Sequence, residues 1–178
     1  MSTPILWQPS DDFKQNANLN LYINWLQEKF GLSFKGYEDL RKWSVDNVAY
    51  FWETIWQYYA VAFDGEYNQV LQLPAKGMIG TKWFEGAKLN YAEHIFRNSN
   101  TEHPAIIFKS ETEPNTIITW KELTERVASL QSYLKKLGVK KGDCVASFLP
   151  NIPEAIIAFL ATNSIGAILS LIHISEPT

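Results

Sequence analysis

The sequence predicts an α/β fold: a helical, aromatic-rich amino-terminal lead-in, then the first βαβ part of an incomplete, largely parallel sheet. Three observations carry this. Apolar residues recur at helical spacing through the first sixty positions. A T-x-x-E pattern at Thr119 and Glu122 opens a long amphipathic run. Two apolar runs, Cys144 to Leu149 and Ala167 to Ile172, flank an apolar helical segment, and a strand, helix, strand sequence at that spacing demands a crossover and parallel pairing.

In order along the chain, residues 1 to about 17 are polar and irregular. Leu19, Tyr22, Ile23, Leu26 and Phe30 then mark an amphipathic helix that Gly31 stops. A second helix is expected from Ser44, which can cap it, with Asp46 in the first turn. Val48, Phe51, Trp52, Ile55, Trp56 and Tyr59 form its wide apolar face to about Val61. Gly65, Pro74, Gly77, Gly80 and Gly86 punctuate a long connection over 64–86, and a short helix is expected over about 87–96.

The character of the chain changes near His103. Ala105 to Phe108 and Thr116 to Trp120 are short β-branched runs around a turn-forming stretch, as in a hairpin. The helix opened by Thr119 presents Trp120, Leu123, Val127, Leu130, Leu134 and Leu137, and Gly138 ends it. After the buried strand at Cys144 to Leu149, Asn151 with Glu154 begins a helix to about Ser164. Residues 1–102 thus read as the lead-in and 103–168 as the start of a larger domain.

A chain of 178 residues, 46% of them hydrophobic and 14% aromatic, can bury a core, which excludes intrinsic disorder. A net charge of −3 disfavours nucleic acid and anionic lipid as partners. The single cysteine, Cys144, removes any disulfide framework or cysteine-built zinc site and suits a reducing, cytoplasmic compartment. No secretory leader is apparent in MSTPILWQPSDDF. Ala155 to Ile174 is uncharged and long enough to span a bilayer, but Asn163, Ser164 and Gly166 interrupt it, so no membrane span is expected.

No run has the spacing of a catalytic centre. Gly31 and Gly36 are spaced as in a phosphate loop, yet Tyr37 and Glu38 stand where Lys and Ser or Thr belong. His94, His103 and His173 are scattered, and His94 falls off its helix's apolar face, as an exposed structural histidine would. Trp7, Trp25, Trp43, Trp52, Trp56 and Trp83 could form a stacking surface, although Trp25, Trp52 and Trp56 have core spacing. Lys135, Lys136, Lys140 and Lys141 complement a helix C-terminus. Asn151 lies at the carboxyl end of a parallel strand, the edge where open α/β sheets bind ligands, but capping explains it.

Three stretches add what spacing cannot. ITWKELTERVASLQSYLKKLGVKKGDCVASFLPNIPEAIIAFLATNSIGAI (118–168) strongly resembles the amino-terminal part of adenylate-forming acyl-CoA synthetases. WFEGAKLNYAEHIF (83–96) is similar to the W-F-x-G-x-x-L-N stretch of the short-chain members, and its LNYAE form looks most like the acetoacetyl-CoA synthetase branch. LWQPS, NLNLYINWL and KWSVDNVAYFWETIW resemble that branch's lead-in. His94 stands where the pattern usually has Asn. After Ile168 the family continues with a Trp and a Pro-containing stretch, whereas this chain reads LSLIHISEPT, so 169–178 is expected to be a non-native tail.

The resemblance implies an amino-terminal fragment of a two-step ligase. Acetoacetate attacks the α-phosphate of ATP, pyrophosphate leaves, and CoA displaces AMP, with Mg²⁺ accompanying the nucleotide. The family's phosphate loop, ribose-binding Asp, hinge and mobile-domain Lys would all lie beyond residue 178. No residue here is therefore assigned as catalytic, cofactor-binding or metal-ligating, and the chain alone is expected to bind no cofactor and to be inactive. An acetyl- or propionyl-CoA synthetase fragment and a non-catalytic, aromatic-rich binding module are the alternatives.

Overall fold

A computed structural model describes residues 6–111 and 114–170. It divides into two compact units, the first of residues up to 61 with 65–87, the second of 62–64 with residues from 88 onward.

The first unit is helical. Helix α1 (Asp11–Gln15) occupies the stretch expected to be irregular: the Ser10 hydroxyl caps it by accepting from the Phe13 amide at 3.2 Å, with Asp11 and Asp12 in its first turn. Helix α2 (Asn18–Phe30) falls where the periodicity puts it and ends on Gly31 at φ 68°.

The helix expected from Ser44 is instead two helices, α3 (Tyr37–Asp46) and α4 (Val48–Tyr58). Glu38 and Asp39 supply the acidic first turn of α3, and the Asp39 carboxylate accepts from the Lys35 amide at 3.0 Å. Ser44 is no cap: it lies inside α3 and donates to the Arg41 carbonyl at 2.8 Å. Asn47 makes the break, its backbone and side-chain amides both donating to the Trp43 carbonyl, at 2.9 and 3.1 Å.

Tyr22, Leu26 and Leu40 are the buried centre of this unit, with Trp25, Phe51 and Ile55 packed around them. The residue of α4 that is wholly buried is Thr54, while Val48, Trp52 and Tyr59 of the expected apolar face stay exposed. A short antiparallel pair, β1 (Leu71–Gln72) and β2 (Lys82–Trp83), lies within the long connection.

In the second unit, α5 (Tyr91–Arg97) starts after Asn90, whose side chain accepts from the Glu93 amide at 3.3 Å. Strands β3 (Ile106–Phe108) and β4 (Thr116–Ile118) form the expected antiparallel hairpin, Ile106 opposite Ile118. Helix α6 (Trp120–Lys136) starts on Thr119, whose hydroxyl accepts from the Glu122 amide at 3.2 Å. Only half of the capping box forms, because the Glu122 carboxylate pairs with Arg126 at 2.7 Å. Leu123, Val127 and Leu134 are buried as expected, but Leu137 lies past the last helical turn and is exposed.

Strand β5 (Cys144–Ala146), helix α7 (Pro153–Ile165) and strand β6 (Ile168–Ser170) make the βαβ unit, with β5 and β6 parallel and Cys144 opposite Ile168. The core gathers Ala92, Ile118, Leu123, Val127, Ile157 and Leu160. Strand β5 is shorter than expected, β6 begins one residue later than expected, and Leu171 and Ile172 lie outside the described residues. Nor is β5 fully buried. Val145 packs on the helical core, whereas Cys144, Ala146 and Ile168 face outward, since among the described residues only one face of the pair is covered.

Candidate functional site

The carboxyl edge of the parallel pair is where this architecture would place a ligand. It is formed by the end of β5, the connection 147–152 and the start of α7. Phe148 is 79% exposed and Leu149 and Asn151 are also exposed. The Ser147 hydroxyl is buried without a hydrogen-bond partner. Asn151 is not the helix cap: Ile152 holds that position, no side chain caps α7, and Pro153 begins the helix, where its missing N–H costs nothing. Glu154 in the first turn faces Arg126 of α6 at 3.6 Å.

The other singled-out residues do not converge there. Lys135, Lys136, Lys140 and Lys141 are exposed around the C-terminus of α6, as expected. His94 is half-buried rather than exposed, and its Nδ1 has no hydrogen-bond partner: α5 is short and packs on α7, so even its off-face position is partly covered. His103 is exposed and lines an open groove of about 870 Å³ with Pro104, Ile117 and Trp120. His173 lies outside the described residues.

Trp25, Trp43 and Trp56 pack into an aromatic interior, whereas Trp7, Trp52 and Trp83 stay exposed. Trp25 meets Phe30 and Tyr58 edge-on at 5.4 and 5.2 Å, and Trp43 meets Phe51 at 6.1 Å. Trp52 contacts Trp83 at 5.9 Å, and Trp56 stacks on Phe84 at 4.1 Å. Trp7 is 76% exposed.

Among the described residues, no three or more His, Cys, Asp or Glu side chains are grouped so as to hold a metal ion by themselves. Among the described residues, no helix is long and apolar enough to cross a membrane.

One polar junction has no counterpart among the sequence-based expectations. The Asn90 side chain donates to the carbonyls of Asn163 at 3.1 Å and Ser164 at 3.4 Å, while Gln131 donates to the Ser164 hydroxyl at 2.8 Å. Asn90 followed three residues later by Glu93 was the available signal for a helix start. Its second role, across 73 residues, has no local signature.

The βαβ unit lies within residues 93–176, which match the family described as AMP-binding enzyme, and residues 37–95 match the acetyl-coenzyme A synthetase N-terminus. The chain belongs to the AMP-binding acyl-CoA synthetases and corresponds to their amino-terminal part. Within that family it is similar to the acetoacetyl-CoA synthetases. It is 34% identical to the enzyme of Macaca fascicularis over 93% of this chain and 25% of the relative, and 35% identical to that of Rhizobium meliloti (strain 1021) over the same shares. The solved acetoacetyl-CoA synthetase from Streptomyces lividans superposes with a TM-score of 0.87 at 38% identity, covering 95% of this chain and 26% of that one. The chain thus spans about a quarter of the length of the relatives it matches.

Proposed function

We propose that the chain supplies the amino-terminal portion of an acid–CoA ligase that converts acetoacetate, ATP and CoA to acetoacetyl-CoA, AMP and pyrophosphate through an acyl-adenylate. The observation that carries this reading is the parallel β5–α7–β6 unit, in a chain that superposes along nearly all its length on an acetoacetyl-CoA synthetase. Residues 1–102 are then the lead-in and 103–168 the start of the ligase domain. The compartment is the cytoplasm, and no nucleic acid is a partner.

The charge that develops on the phosphates during adenylation must be met by fixed donors and a cation, the largest electrostatic demand of such a reaction. Among the described residues, the carboxyl edge offers an exposed Phe148, a neutral Asn151 and an uncapped helix start whose Glu154 faces Arg126 at 3.6 Å. On this reading the chain alone does not catalyse the reaction and needs the remainder of the enzyme to do so.

The test joins residues 1–168 to the remainder of the Streptomyces lividans enzyme and measures pyrophosphate release. Release that requires acetoacetate supports the reading. Preference for acetate or propionate transfers the assignment to those ligases, and turnover by residues 1–178 alone, within about a hundredfold of the chimera, overturns it.

A further inference from the structure

We propose that Asn90 is a positioning residue for the amino end of the parallel pair, clamping the last turn of α7 to the first turn of α5 and so setting where the chain enters β6. Its bearing on catalysis rests on the ligase reading; its structural content does not.

A helix leaves its last carbonyls without partners, and these must be met by a C-cap, a side chain or water. At the end of α7 the Asn163 carbonyl accepts from the Gly166 amide at 2.8 Å and also from the Asn90 side chain at 3.1 Å, so both its lone pairs are used. The Ser164 carbonyl also accepts from the Asn90 Nδ2, at 3.4 Å. On its other side Asn90 accepts from the Glu93 amide, closing the start of α5. One half-buried amide thus terminates one helix and begins another. Gln131 fixes the same turn from α6 through the Ser164 hydroxyl, which in turn donates to the Ala161 carbonyl at 2.6 Å.

Past the clamp, each contact depends on the one before it. Gly166 turns left-handed at φ 77°, its carbonyl accepts from the Gly142 amide at 3.0 Å, and the Ile168 amide donates to the Asp143 carbonyl at 2.8 Å. These last two bonds begin the pairing of β6 with β5. A slip of one residue would exchange Ile168, on the open face, with Leu169, opposite the core-packed Val145. The clamp therefore acts on register, and register decides which β6 side chains face the helical core.

The simpler role, a cap for α5 and nothing more, is separable by chemistry. Asn90→Asp keeps the acceptor for Glu93 but removes both donors and sets a carboxylate against two carbonyls. Asn90→Ala removes everything. Hydrogen exchange on the 178-residue chain should show the amides of 165–170 faster by about tenfold or more in both variants, with α2–α4 within about twofold of the parent and α5 accelerated only by the alanine. An Asp variant with parental exchange over 165–170, or acceleration of both units alike, overturns the proposal. Asn90→Ser, which keeps the cap but is too short to span to α7, gives the same readout if the Asp chain does not fold. Failure of the ligase reading appears only in pyrophosphate release by the chimera and leaves the exchange result standing.

Discussion

The Tyr22 hydroxyl donates to the Thr54 hydroxyl oxygen at 2.6 Å in the interior of the helical unit, joining α2 to α4 across 32 residues. The direction follows from the Thr54 proton, which goes to the Phe51 carbonyl at 2.7 Å and leaves the oxygen as acceptor. Both residues are buried, Tyr22 with 4% and Thr54 with none of its surface exposed. In an interior built from aromatic edges this is a polar pair with one geometry, and it fixes the rotation of both helices.

The two ends of that bond should not cost the same. Tyr22→Phe removes the donor and leaves Thr54 still bonded to Phe51, an expected loss of about 1 kcal/mol. Thr54→Val strands the Tyr22 hydroxyl in an apolar interior, with an expected loss of about 2 kcal/mol. Urea denaturation followed by tryptophan fluorescence ranks them, and equal or reversed losses would contradict the assigned donor.

The same burial gives this unit a dependence on alkaline pH. Desolvation pushes the Tyr22 phenol above its ordinary value. Because the folded value is raised, this contribution is complete below the unfolded tyrosine value of about 10 and is lost as pH climbs through the folded one. Tyr67 is shifted in the same direction, chiefly by burial. The urea midpoint should therefore fall above pH about 10, and Tyr22→Phe should fall less steeply than the parent. Parallel pH profiles would remove Tyr22 from this account.

Gly86 holds φ 104°, and a Cβ built on it would lie 2.3 Å from the Glu66 carbonyl oxygen. Gly77, at φ 70°, has open space around the same position. An alanine at 77 meets only the left-handed backbone cost, on the order of 1 kcal/mol. An alanine at 86 must also displace backbone, so its expected loss exceeds about 2 kcal/mol. Thermal unfolding of the two variants should separate them by several degrees.

Where the chain follows period and cap chemistry, the sequence was legible. Leu19 to Gly31, the Thr119 cap and the parallel β5–β6 pair all arise from contacts within a short stretch or from the sterics of a crossover. What escaped lies at polar residues with two roles. Asn47 breaks a continuous apolar pattern because its side chain bonds backward to Trp43, and Thr54 sits buried in an apolar face because Tyr22 meets it. Period alone cannot register either effect. The site was legible only as an edge: its position comes from strand direction, whereas Asn151 was given a capping role that Ile152 and Pro153 occupy.

That last difference makes a paired test. Thr119 and Asn151 both read as helix caps, but only the Thr119 hydroxyl accepts a helix amide, from Glu122. Thr119→Ala removes an acceptor from the first turn of α6, the helix that carries the buried Leu123, Val127 and Leu134, so the loss is felt by the whole core of the second unit. The usual value of a threonine cap sets the expected cost at about 1 kcal/mol. Asn151 is exposed, lies one residue before the cap Ile152, and α7 begins on a proline that needs no amide partner. Asn151→Ala should therefore lie within about 0.5 kcal/mol of the parent. Stability should be read by hydrogen exchange in α6 and α7 separately, because global denaturation averages the two units. Fast exchange at the start of α7 in Asn151→Ala would restore the capping role, and an unperturbed α6 in Thr119→Ala would mean that the Arg126–Glu122 pair alone holds that turn.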